Sequence, residues 1–247
     1  MPILKTISQR RLQPEIIDQP DLDSQRHSQA LRGLERINWW SGSARILWPP
    51  VLALAREYSE RPLRILDVAA GAGDVPIRLW RKGSRAGVRL EIAGCDRSSH
   101  AVEYARKRAR ENNAPIQFFE WDALRGDFPG DPDVVLSSLF LHHLEEAQAV
   151  DFLRRMGQAA GRMVLVNDLE RGLAGFVLSY LGTRVLSASP VVHTDGPRSV
   201  EGAFTILEAR DLACRAGLTE ATVTRRWPCR YLLSWRRGQP NSKQRKA

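Results

Sequence analysis

Apolar residues in this chain keep one spacing up to about residue 60 and another after it. In the first part, Leu31, Leu34 and Ile37 recur at helical intervals, with Arg32, Glu35 and Arg36 off that face. Ile46, Leu47, Val51, Leu52 and Leu54 mark a second helix, with a kink or restart predicted at Pro49-Pro50. Trp39 and Trp40 end the first helix, and Ser41-Gly42-Ser43 reads as turn and cap. Residues 1 to about 28, polar and broken by Pro14 and Pro20, read as an arm lying over the domain. From residue 62 short apolar runs alternate with helical patterns, which predicts crossover helices joining mostly parallel strands. Strands are expected at 63–69, 90–96, 116–120, 133–137 and 163–168, with helices at about 74–82, 99–111 and 145–160. The alternation then breaks. Leu173, Phe176, Val177, Tyr180, Leu181 and Val185 share one helical face, and Ser189 to Pro197 reads as a loop. Thr205 and Glu208 form a capping-box signature for a helix ending near Gly217, and two last strands follow at about 221–225 and 231–235.

The fold expected is therefore α/β: a Rossmann-like, seven-stranded, mostly parallel sheet with helices on both faces. Residues 1–60 would form an arm and helical cap, 61–236 the main domain, and 237–247 a basic tail. The insertion at about 171–200 carries little charge beyond Arg171 and Arg184, which favours a lid over the cleft above a membrane-surface helix. A chain of 247 residues suits one medium domain with extra helices.

Charge alters this picture more than composition does. The excess of 37 basic over 28 acidic residues admits nucleic acid, anionic membrane or acidic metabolites as partners. Much of it sits at Arg225, Arg226, Arg230, Arg236 and Arg237 and in Lys243-Gln244-Arg245-Lys246, as a solvated face or tail would. Weak association with anionic membrane stays open. The 3 cysteines have no metal-type spacing, and their odd number argues against a disulfide framework. With no apolar signal core and no membrane-spanning run, a cytoplasmic setting is expected.

Candidate chemistry centres on the stretch Ile65 to Pro76. A β-branched run ends at Asp67, and small residues lead through Ala69, Gly71 and Gly73 to a helix start. A pyrophosphate-binding glycine loop would want glycine at 76, where Pro76 stands. The spacing reads instead as acid-x-small-x-Gly-x-Gly. At these residues the chain resembles the class I S-adenosylmethionine-dependent methyltransferases, whose first motif has this form, usually with glycine where Ala69 stands.

That resemblance implies S-adenosylmethionine as cofactor. The turn from Ala69 to Gly73 would lie against its methionine part, with Asp67 organising the loop. Asp96, with Arg97 beside it, would accept from the ribose hydroxyls. Asp122 would take the adenine amino group and Ala123 offer a backbone N–H to the ring, while Ser138 and Leu139 line the other side. Leu141-His142-His143-Leu144 resembles methyltransferases of the ubiquinone and menaquinone kind and natural-product relatives. Some polyketide C-methyltransferase domains pair a histidine here with an acid at the fifth strand's end, the place of Asp168.

A phenol, with a reference pKa of about 10, needs a base to react at neutral pH. His142 is the expected base, Asp168 its orienting partner, and His193 in the loop an alternative. At the head of a helix, His142 and His143 would point about 100° apart, so only one would face the cleft. Related metal-assisted quinone O-methyltransferases carry Glu-x-x-Glu-His here, but this chain has Leu139, His142 and His143, so no metal is expected. The acceptor expected is small and aromatic, polyketide-like or quinone-like, with oxygen ahead of carbon as the atom methylated. An RNA methyltransferase remains an alternative on charge, although no RNA-binding module or Asn-Pro-Pro-Tyr-like motif is visible. A non-catalytic binding protein of the same fold is the other.

Overall fold

Parallel strands covered on both faces by helices must be apolar almost throughout. Two runs here meet that demand, β4 (Val134–Ser138) and β5 (Met163–Leu169). They stand beside β1 (Leu63–Val68), β2 (Leu90–Asp96) and β3 (Gln117–Glu120), with β6 (Thr222–Arg226) and β7 (Arg230–Arg236) at the far edge. The computed structural model describes residues 7–18 and 23–238. The strand order is β3-β2-β1-β4-β5-β7-β6. All pairs from β3 to β5 are parallel, and β7 runs antiparallel to both β5 and β6. The order reverses between β1 and β4, the crevice where an open α/β sheet receives a ligand beyond its strand ends.

Eight α-helices are described: α1 (Ser24–Ser41), α2 (Ser43–Glu57), α3 (Asp74–Ala86), α4 (Ser99–Glu111), α5 (Glu146–Ala159), α6 (Leu173–Leu186), α7 (Pro190–Gly202) and α8 (Ile206–Arg215). Leu47 and Leu54 of α2, Leu79 of α3 and Val102 of α4 pack in the core on one face of the sheet. Phe152, Leu153 and Met156 of α5 and Leu212 of α8 fill the other. Gly42, at φ 73°, closes α1 and opens α2, as its place in the sequence implied.

Three expectations change. The 189–197 stretch is not a loop but most of α7: Pro190 occupies the first turn, where a missing N–H costs nothing. Helix α2 continues through Pro49 and Pro50 without a restart. The apolar face of α6 points outward, and Gly175 and Thr183 are buried instead. The reason is close approach to α7, since a Cβ on Gly196 would stand 2.5 Å from Thr183 Cγ2 and 2.9 Å from Ser179 Oγ. Only small side chains fit there. Residues 1–6, Pro20 with its neighbours, and the Lys243–Lys246 run expected as a basic tail lie outside the described residues.

The turn after β1 depends on glycine twice over at Gly73. Its φ is +70°, and a Cβ there would lie 2.8 Å from Phe118 Cζ and 2.9 Å from Ala105 Cβ. Gly73→Ala is expected to cost about 1–3 kcal/mol, read as a lower urea midpoint at unchanged slope. An unaltered midpoint would show that the contact is relaxed.

Candidate functional site

Backbone of unusual conformation frames the crevice. Ala69, at φ 57°, follows β1, and Leu139, at φ 60°, follows β4. A residue with a Cβ is held in this region at a cost of order 1–2 kcal/mol. Both line a cavity of about 190 Å³ whose wall also includes Asp67, Gly71, Ser138 and His142. At Gly71 a Cβ would meet no atom within 4 Å, so glycine serves its φ of +53° and leaves the turn's inner surface bare.

The acids of this rim divide by how their charge is met. Asp96 accepts from Gly71 N and Ser98 N, both at 2.9 Å. It therefore ties the end of β2 to the glycine turn, the loop-organising part expected of Asp67. Asp67 is buried, and its Oδ1 has no hydrogen-bond partner. Burial, with Asp74 and Asp96 nearby, raises its pKa well above the usual carboxylate range. Asp74, in the first turn of α3, likewise leaves Oδ2 without a partner. Burial pushes it up to about 6 against the opposing pull of Arg78 and Asn38. Asn38 Oδ1 is also orphaned, and all three residues belong to the cavity wall. Unmet buried acceptors grouped in this way call for a cation with N–H donors.

Other expected residues stand off this wall. Gly73 packs behind the turn. Asp122 Oδ1 accepts from Leu124 N at 2.9 Å in a local turn, and Ala123 is buried with its carbonyl taken by Arg155. Arg97 is exposed. His193 rides on α7 and donates from Nε2 to the Ser187 carbonyl at 2.7 Å, away from the cavity lining. As an alternative base it is misplaced.

His142 is well placed. It is buried, its Nδ1–H donates to Asp168 Oδ1 at 2.6 Å, and its backbone N reaches Asp168 Oδ2 at 3.3 Å. This bond fixes the tautomer and aims Nε2 at the cavity. The residue that sequence reasoning missed is Glu15. Its Oε1 lies 3.7 Å from His142 Nε2 and its Oε2 lies 3.9 Å from His143 Nε2. The expectation that only one histidine faces the cleft is corrected: both sit on the short 3₁₀ turn Leu141–His143, ring centroids 4.2 Å apart, and both line the cavity. The donor atoms of Glu15, His142 and His143 lie within 4.8 Å of one another, a spacing that a shared proton or a shared cation would satisfy.

Glu15 reaches this place because the arm is laid along α7. Ile16 N and Ile17 N donate to the two oxygens of Asp195 at 2.9 and 3.0 Å, and Ser199 Oγ donates to Glu15. Arg10 bonds the carbonyls of Gly202, His142 and Leu144, joining arm, insertion and the turn that bears His142. Desolvation opposes a charged His142 ring, yet Asp168 and then Glu15 outweigh it and raise the pKa to about 10. Desolvation likewise opposes the two carboxylates, but the histidines beside them hold both below their usual range.

Comparison with known proteins bears on this geometry. Residues 65–160 match a family described as a methyltransferase domain. A demethylmenaquinone methyltransferase of Deinococcus radiodurans is 32% identical over 116 residues, 46% of either chain. One from Thermus thermophilus is 31% identical over 129 residues, 51% of this chain and 57% of that one. The chain thus matches about half the length of these curated relatives. Among solved structures, the apo S-adenosylmethionine-dependent methyltransferase SibL superposes with a TM-score of 0.64 at 19% identity, covering 94% of this chain and 65% of that one. Human N-acetylserotonin methyltransferase, solved with S-adenosylmethionine, gives 0.58 at 20% identity, over 85% and 55%. A ligand with an ammonium and a sulfonium fits the orphaned acceptors of Asp67, Asp74 and Asn38.

Asp74 makes this mismatch measurable without ligand. Its folded pKa, about 6, exceeds the ordinary 3.8, so the folded state keeps a proton that the unfolded chain gives up. That contribution is full below the unfolded value and is lost as pH rises through about 6. Between about pH 4 and pH 7, ligand-free Asp74→Asn should gain melting temperature relative to the parent protein as pH rises. Parallel curves would contradict the assignment.

Proposed function

We propose that this chain is a class I S-adenosylmethionine-dependent methyltransferase, which moves a methyl group from that cofactor to a hydroxylated aromatic or quinol-like acceptor. The observation that carries the reading is the buried Asp168–His142 pair, 2.6 Å apart, opening on the cavity that the glycine turn also lines. When bound, the cofactor supplies an electrophilic methyl on sulfur. The residues of this chain hold it and prepare the acceptor. Asp67, Asp74 and Asn38 would take the cationic amino-acid end, and Asp96, holding the glycine turn, would keep lone pairs for the ribose hydroxyls; Asp122 and Ala123, off the cavity wall, would meet the adenine only from beyond it.

Once its second ring proton has been released, His142 takes the acceptor's hydroxyl proton at Nε2, while Asp168 holds the ring in orientation and stabilises the imidazolium that re-forms. A ring whose pKa is about 10 matches a phenol of about 10, so the transfer is close to even in free energy. Glu15 adds a second carboxylate to the ring and helps retain the proton. Much of the rate then comes from holding acceptor against methyl, an orientation effect of up to roughly 7–11 kcal/mol. A phenolate is nucleophilic at oxygen and at its ortho and para carbons, so one proton removal serves either outcome. Relatives named ubiquinone/menaquinone C-methyltransferases add support for carbon beside the oxygen expected from the sequence. A small-molecule acceptor, rather than RNA, suits a cavity of about 190 Å³.

S-adenosylhomocysteine at about 100 times its Kd should stabilise the fold by about 2.7 kcal/mol, and Asp96→Ala should abolish the shift in melting temperature. Turnover on a phenolic acceptor should climb with pH from about 6 toward 10, because one proton must leave the complex. Glu15→Gln removes a charge that retains this proton and should move the climb to lower pH. His142→Ala should keep the thermal shift and lose turnover by about 10²–10⁴-fold. Full activity in that variant would reject His142 as base.

A further inference from the structure

Helix α6 is built inside out. Its buried side is small or polar, with Ser179 and Thr183 on the cavity wall. Its outer side holds Val185 at 82% exposure, Leu181 at 56% and Val177 at 47%, with Leu173 and Tyr180 also exposed. Trp39, Trp40 and Trp227 are exposed as well, and the rings of Trp40 and Trp227 lie 5.4 Å apart between centroids. The turn bearing Trp227 abuts the helix, because Cys229 Cβ lies 3.3 Å from where a Cβ on Gly175 would stand. That contact is on the buried side of α6, and α1, which carries Trp39 and Trp40, also packs against the helix, so the apolar face and the tryptophans are exposed on neighbouring elements. A surface helix ordinarily turns such residues toward the core, and large exposed apolar patches mark interaction sites.

The chemistry at the rim of this patch selects the partner. No aspartate or glutamate occurs from residue 171 to residue 194. Arg184 extends over the Tyr180 ring at 3.6 Å, and Arg226, exposed, precedes Trp227. Glu170, beside the Trp227 turn, is taken by Arg225, so the apolar side chains, amphipathic aromatic rings and the arginines Arg184 and Arg226 complement a layer of anionic headgroups over hydrocarbon. A two-fold contact with a second copy would instead press this arginine-bearing surface against its own like. Among the described residues no helix is long and apolar enough to cross a membrane, so the contact would be a surface one.

We propose that the outer face of α6, with Trp39, Trp40 and Trp227, docks on the surface of an anionic lipid bilayer. The docked helix then stands between the lipid and the cavity, with its small-residue side lining the latter. Docking is independent of the methyl-transfer reading and can be tested apart from it.

The test is co-sedimentation of the full chain with phosphatidylcholine vesicles, with and without about one third phosphatidylglycerol. The parent protein should pellet with the anionic vesicles. Leu181→Asp/Val185→Asp, changed only at exposed positions, should bind them at least about tenfold more weakly while keeping its thermal shift with S-adenosylhomocysteine. Failure of the parent protein to bind would overturn the proposal. Equal binding by the variant would do so too, by reducing the attraction to net charge alone. So would a parent dimer in light scattering that the same two substitutions dissolve, since the partner would then be a second copy.

Discussion

Taking carboxylates out of water at the ends of parallel strands is the constraint on which the rest of this structure depends. A buried acid must find a cation, a set of N–H donors or a proton. All three answers occur along one rim. Asp168 has the His142 ring, Asp96 has the N–H groups of Gly71 and Ser98, and Asp67 has neither at Oδ1. The difference sorts their work. Paired acids hold loops and rings in position, and the unpaired ones prepare the rim to receive positive charge.

The second half of the site comes from far away in the chain. Glu15 stands beside His142 because Arg10, Asp195 and Ser199 fasten the arm to α7 and to the turn that bears His142. The insertion between β5 and α8 thereby does two jobs: α7 seats the arm, and α6 lines the cavity with Ser179 and Thr183. The tight approach at Gly196 that forces small side chains inward on α6 also leaves the large ones outside.

Much of the fold was legible because period is a strong signal where one face is buried. Every strand was found within a residue or two, and so were the Gly42 cap and the Thr205–Glu208 capping box. The pairing of His142 with Asp168 was legible too, through position after β4 and β5. Two kinds of feature were not. Pro190 and Pro197 read as loop because proline is ambiguous between a helix's first turn and a break, and only packing decides. Glu15 carried no local signal: it lies in a polar arm, and its role comes from contacts with residues well over a hundred positions away. The face of α6 was found but its direction was not, because periodicity says which residues share a side and not what that side meets.

The central claim is that Asp168 and Glu15 together raise the basicity of His142, so that the ring, once neutral, takes the proton of a phenolic acceptor. Nuclear magnetic resonance titration of the His142 ring in the ligand-free protein tests it directly. A ring that stays protonated through neutrality and titrates near pH 10 agrees with the account. A ring already neutral by about pH 7 would show that the two carboxylates do not act on it.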